Sequence, residues 1–261
     1  MSRLISRGLA FLFSIFLLVC SATAEEKSGF ASNDEFEEWM FHYFQRPDPA
    51  RAQNALSRLM ASYTRLPLTL GFTTGLFQKN PRHLKEWLKT LEQCRKDCRE
   101  NCEEECQARA AYFLAALRLA DRADAAVIVQ KRYPEAMRTI PFTPQPIMQA
   151  TPEEGGWPDI LLGYFLATGE DAAILRIMEM LAWETPETRQ EDENRYQTGR
   201  SAWLWLSLSC EMPGMEEVCG RVIGTGRRAL AETLDPARAA ILRRLLVDLE
   251  EKAERLKTLA P

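Results

Sequence analysis

Only two histidines, His42 and His83, occur in the 261 residues. Nothing local marks either as a catalytic base: His42 falls on the far side of a helix from Phe36 and Trp39, and His83 sits beside Arg82 in a first turn. The chain has no His-Glu-x-x-His zinc motif, no phosphate-cradling glycine loop and no dinucleotide fingerprint. It also lacks a basic excess, at 33 Lys and Arg against 37 Asp and Glu, which removes the electrostatic footprint of a nucleic-acid binder. Strand-like alternation is missing, and no second apolar run after the one at the N-terminus is long enough to span a membrane.

That first run, Gly8 to Cys20, follows Arg3 and Arg7 and precedes Ala22-Thr23-Ala24. A positive start, a short apolar core and small residues before Glu25 read as a secretory signal peptide over 1–24, cut after Ala24. It is shorter than the about 20 apolar residues of a membrane span. Without it, 31 basic and 37 acidic side chains remain, a net charge of −6. The expectation is a periplasmic or secreted protein with no membrane span after cleavage and no nucleic-acid partner.

What is present is helical period. Phe36, Trp39, Met40, Tyr43 and Phe44 share one face of a helix that Asn33 or Asp34 would cap. Asp48-Pro49-Ala50-Arg51 and Asp235-Pro236-Ala237-Arg238 each open a helix, with an acid to accept first-turn amides and a proline where no amide hydrogen is needed. The first has the inner face Ala52, Leu56, Leu59, Met60 and Tyr63. The second has Ala240, Ile241, Leu245, Leu246 and Leu249. Pro67 to Phe77 reads as a buried helix weakened by Gly71 and Gly75, and Asn80-Pro81 as another cap. Ala108 to Ala120 and Ala123 to Tyr133 complete an N-terminal helical part over 25–133. Residues 134–158 hold six prolines and read as a segment crossing the helices, with Ile140, Phe142, Ile147 and Met148 turned inward.

The C-terminal helical part, 159–261, begins with a helix stopped by Gly169. The polar stretch Thr185 to Gly199 reads as an exposed loop. Trp203 and Trp205 suggest one ring in the core and one at its margin. Gly224-Thr225-Gly226-Arg227-Arg228 reads as an anion site or as a glycine-softened helix junction. The fold class is therefore all-α, built of antiparallel helix pairs, with an irregular α-solenoid as the alternative organisation.

Two stretches, Arg46-Pro47-Asp48-Pro49-Ala50-Arg51 and Leu161 to Asp171, resemble a family of exported, all-helical bacterial proteins of unknown function. The resemblance implies an all-α fold and supplies no catalytic residues.

Export would leave six cysteines, an even number suited to three disulfides. Cys210 and Cys219 flank Met212-Pro213-Gly214, a turn between two helices, and are expected to bond across it. Cys94, Cys98, Cys102 and Cys106 recur every four residues with only charged or amide side chains between. On one continuous helix Cys94 and Cys106 would lie about 18 Å apart, beyond any disulfide, leaving Cys94 with Cys98 and Cys102 with Cys106 in poor geometry. If the chain turns at Arg99-Glu100-Asn101, the nested pairs Cys94 with Cys106 and Cys98 with Cys102 become natural. That staple would stand in for an absent apolar core. The alternative keeps four thiolates reduced as a soft-metal site, copper in the Cu(I) state. The function expected is a non-enzymatic interaction or scaffold protein of the cell envelope, without cofactor and with another envelope protein as partner; copper binding is the second reading.

Overall fold

A computed structural model describes residues 29–62, 67–97, 103–139, 145–150 and 156–259. The expected signal peptide over 1–24, Tyr63, Cys98, Cys102, Ile140, Phe142 and Glu153-Glu154 lie outside these residues, as do the side chains of Met60 and Cys94. Twelve α-helices and no strand occur among the described residues. They are α1 (Asn33–His42), α2 (Pro49–Ser62), α3 (Pro67–Lys79), α4 (Leu84–Asp97), α5 (Glu103–Leu119), α6 (Ala123–Arg132), α7 (Trp157–Thr168), α8 (Asp171–Met180), α9 (Pro186–Glu191), α10 (Glu193–Leu208), α11 (Glu216–Glu232) and α12 (Pro236–Leu259). Short 3-10 turns occupy Pro134–Thr139 and Leu181–Trp183. None of these helices is long and apolar enough to cross a membrane.

Two helices without a polar face form the centre. Thr69 to Phe77 of α3 are all buried, and so are Ile160 to Ala167 of α7. A helix that is apolar all round has to be enclosed on every side, and these two enclose each other through the largest helix–helix contact among the described residues. They run in the same direction: Gly71 meets Ile160, Gly75 meets Tyr164 and Ala167, and Lys79 pairs with Glu170 at 2.7 Å. A Cβ on Gly71 would lie 1.8 Å from the Ile160 carbonyl oxygen, and one on Gly163 would lie 1.9 Å from that of Leu68. These glycines are where backbone touches backbone, so their role differs from the weakening expected of Gly71 and Gly75.

Around this pair the helices joined by short turns pack as antiparallel partners, α5 on α6, α7 on α8 and α11 on α12. Phe30, Phe36, Trp39, Tyr43 and Phe72 interlock edge to face and fix α1 to α3. Between α6 and α7, residues 147–150 lie across their neighbours: the Ile147 amide donates to Leu119 O, and Arg176 of α8 donates to the carbonyls of Met148 and Ala150, each at 2.8 Å.

Several local expectations change. Ser32, not Asn33 or Asp34, caps α1, its hydroxyl accepting from the Glu35 amide at 3.1 Å while the Glu35 carboxylate accepts from the Ala31 amide. Asn80 closes α3 by donating to Leu76 O, and α4 starts only at Leu84. Thr185 to Gly199 is helical, because Thr185 caps α9 and Asp192 caps α10. Helix α11 runs unbroken through Gly224 and Gly226, held by the buried stripe Val218, Val222, Thr225 and Ala229. The inner face of α12 is Ala239, Leu242, Leu245, Leu246 and Leu249, while Ala240 is exposed and Ile241 half-buried. The Asp48 and Asp235 caps form as expected, accepting from Arg51 N and Ala237 N.

Candidate functional site

The cysteines come first in sequence. Cys210 and Cys219 form a disulfide with Cα atoms 4.8 Å apart, buried beneath the turn from α10 to α11, where Gly214 takes φ +85°. Cys106, in the first turn of α5, is buried and disulfide-bonded, so it offers no thiolate. Cys94 belongs to α4, which packs on α5. Among the described residues no group of three or more His, Cys, Asp or Glu is placed to hold a metal ion.

The two histidines are half-buried; the His83 ring stacks on Trp87 with centroids 5.7 Å apart. Arg227 and Arg228 form no anion site with the neighbouring glycines. Arg227 pairs with Glu250, and Arg228 joins Arg221 in clamping Asp171 at the start of α8. Neither Trp203 nor Trp205 enters the core fully; both are half-buried, and Ala202 and Leu206 on either side of them are the enclosed residues.

One cluster resembles a nucleophile with its base. The Ser207 hydroxyl donates to Asp248 at 2.8 Å and accepts from the Lys252 ammonium at 2.7 Å, and Lys252 also pairs with Glu211 at 2.8 Å. A serine–lysine nucleophile requires a neutral lysine. Burial alone would lower the Lys252 pKa, but the bonds to Glu211 and Asp248 outweigh it and raise the value. The ammonium stays charged, and the cluster works as a clamp between α10 and α12. Asp159 is the acid that burial pushes upward, against hydrogen bonds from Trp205 and Ser201 that pull it down. It ties the first turn of α7 to α10.

Beyond the clamp, α9, α10 and α12 enclose a groove of about 560 Å³, lined by Glu184, Pro186, Arg189, Glu193, Tyr196 and Arg244 among others. Gly199 brings α10 against the chain entering α9: a Cβ there would lie 2.8 Å from Glu184 N and 3.0 Å from Met180 O. Both lining arginines, Arg244 and Arg189, stack on aromatic rings, and a third stack joins Arg195 to Trp183. Arg244 lies 4.8 Å over the Trp203 ring, Arg195 lies 4.7 Å over Trp183, and Arg189 lies 5.5 Å over Tyr196. Arg189 also pairs with Glu193 at 3.5 Å. Neither Arg244 nor Glu184 has an ion-pair partner among the described residues.

The groove escapes sequence reading because its walls come from residues 184–196 and from Arg244, some fifty positions on. The available signal was the pair of caps, Thr185-Pro186 and Asp192, which turns an apparent loop into two short walls. Compared with known proteins, the chain matches no family model, no curated protein and no solved structure.

Proposed function

We propose that the chain is an exported, non-enzymatic helical protein of the bacterial cell envelope that works by binding another envelope protein. The groove between α9, α10 and α12 carries this reading. Arginine and aromatic side chains held in stacks on rigid helices are the residue types that dominate binding energy at protein interfaces. The ion clusters point the same way: Lys252 and Asp171 are each held by two oppositely charged side chains, which favours roles in joining helices over roles in proton transfer. The Cys210–Cys219 bond and the bonded state of Cys106 support an oxidising compartment, in keeping with the N-terminal leader.

The test is capture from a detergent-free envelope extract by the tagged mature chain, residues 25–261, with untagged chain as competitor. A small set of proteins enriched and then lost on competition is the expected result. Recovery of nothing above background, or turnover of a substrate panel abolished by a single carboxylate change, overturns the proposal.

A further inference from the structure

We infer that the α9–α10–α12 groove recognises a peptide segment bearing one carboxylate beside an apolar residue, with Arg244 as the anchor for the carboxylate; this rests on the partner-binding reading above. Six other arginines of the C-terminal half have acids beside them: Arg189 has Glu193, Arg221 and Arg228 have Asp171, Arg227 has Glu250, Arg238 has Glu179 and Arg255 has Glu251; Arg195, Arg200 and Arg243, like Arg244, have none among the described residues, and of these four Arg244 alone lines the groove. In the lining, Arg244 is exposed, stacked on Trp203 and without an ion-pair partner among the described residues. Stacking fixes the plane of a guanidinium while leaving its N–H donors open, which is the geometry that binds a carboxylate through two parallel hydrogen bonds.

The charge of the lining selects the kind of anion. Arg189 and Arg244 face Glu184 and Glu193, so the lining is neutral as a whole. With Arg189 and Glu193 opposing each other, one open cation and one open anion remain, Arg244 and Glu184. A nucleic acid or other polyanion gains nothing from a neutral rim, whereas a single carboxylate is matched by the single open guanidinium. Tyr196 and Pro186 provide apolar surface for the neighbouring side chain, and Glu184 accepts a donor such as a peptide amide or a lysine. A volume of about 560 Å³ accommodates a few residues, within the 300 to 1,000 Å³ usual for ligand pockets.

The experiment uses the mature chain, fluorescently labelled, on an array of synthetic octapeptides. Each peptide carries one Asp or Glu flanked by Leu, Phe or Lys; matched arrays replace the acid by its amide or by phosphoserine. The acidic set should bind at least roughly tenfold tighter than the amide set, the loss of one charge-assisted pair. Arg244→Gln should abolish that preference while keeping the wild-type circular dichroism and melting temperature, and Arg238→Gln should leave it unchanged. Equal binding of acid and amide, preference for phosphoserine, no binding by any array, or a preference that survives in Arg244→Gln overturns the inference. Capture from extract separates it from the broader reading. If Arg244→Gln still captures the wild-type partner at full level, the groove assignment fails and the binding function stands; if the wild type captures nothing, both fail.

Discussion

Replacing Gly71 by alanine tests the centre of the fold. The new methyl carbon would lie 1.8 Å from the Ile160 carbonyl oxygen, 2.6 Å from its carbon and 2.9 Å from its Cα. All three are backbone atoms of α7, which no rotamer change can move. Against an ordinary contact of 3.4 Å, the shortfall is 1.6 Å, and it is met only by parting α3 from α7. A gap of even about 0.5 to 1 Å forfeits a quarter to a half of the dispersion attraction between facing atoms, and here the whole buried face shared by these helices opens. Overpacking of this kind costs roughly 1 to 3 kcal/mol and sometimes more. Alanine's better helix propensity returns at most about 1 kcal/mol. Because the clash is with backbone, we place the net loss near the upper end, at about 3 kcal/mol, or a fall in melting temperature of roughly 6 to 12 °C for a domain of this size. The control is Gly220→Ala in α11, where a Cβ meets nothing within 4 Å; it should stabilise by about 0.5 to 1 kcal/mol. Gly163→Ala should resemble Gly71→Ala, and the double substitution should cost less than the sum, since one parting of the helices relieves both clashes. Denaturant unfolding followed by circular dichroism measures all four. A Gly71→Ala protein within about 1 kcal/mol of wild type would refute the backbone-contact argument, which assigns a larger cost to this clash.

Changing Cys210 and Cys219 together to alanine should cost roughly 2 to 3 kcal/mol in denaturant unfolding, the chain entropy of so short a loop. Intact mass of the chain over residues 25–261, treated with an alkylating reagent, should show no added label without reductant; four labels would instead support the reduced, copper-binding reading of Cys94, Cys98, Cys102 and Cys106. Lys252→Met should destabilise by about 1 kcal/mol at neutral pH, through loss of its two carboxylate partners. Since the folded state raises the Lys252 pKa, its contribution is complete below the ordinary lysine value of 10.5 and disappears as pH rises through the folded-state value. Stability curves of wild type and variant that stay parallel through alkaline pH would count against this clamp. Asp159→Asn should be stabilising at pH 7, because burial opposes ionisation of Asp159. Its advantage should vanish as pH falls below the usual aspartate value of 3.8, where both states of the wild type are protonated; thermal melts across pH 3 to 7 check the sign.

The positions that sequence reading placed correctly are those where local physics decides. Asp48-Pro49 and Asp235-Pro236 start helices whatever surrounds them, and Leu56, Leu59, Trp87 and Leu91 fall on apolar stripes that any globular packing would bury. Errors arise where two local solutions compete. Ser32, Asn33 and Asp34 are all good caps, and the choice of Ser32 depends on Glu35 reaching back to the Ala31 amide. In α9 and early α10 the apolar period is missing because only Thr198 and Gly199 are buried there, so helix formation rests on caps that are easily read as turn residues. Gly71 and Gly163 illustrate a third case. A glycine in a helix is locally unfavourable, and its compensation is a backbone from elsewhere in the chain that no nearby residue announces. The candidate groove belongs to this last class too, since Arg244 acquires its meaning only from Trp203 and Glu184.

The groove's rigidity follows from the same contacts that define the fold. Arg244 sits on α12 one turn before Asp248 and two before Lys252, and Trp203 sits on α10 one turn before Ser207. The pairs Trp203–Arg244 and Ser207–Asp248 therefore keep one register between α10 and α12. Below them, Lys252 reaches Glu211 just ahead of the turn that the Cys210–Cys219 bond closes. Salt-bridge clamp and cation–π stack thus follow one another along a single seam, each limiting how far α10 and α12 can slide or roll, while the disulfide fixes the end of α10 to α11. A guanidinium held in this way loses little freedom when it takes a carboxylate, and lost freedom is what most reduces the affinity of exposed arginines. Loosening the lower end of the seam, by Lys252→Met or by opening the disulfide, should consequently weaken acidic-peptide binding at Arg244 without touching the groove itself.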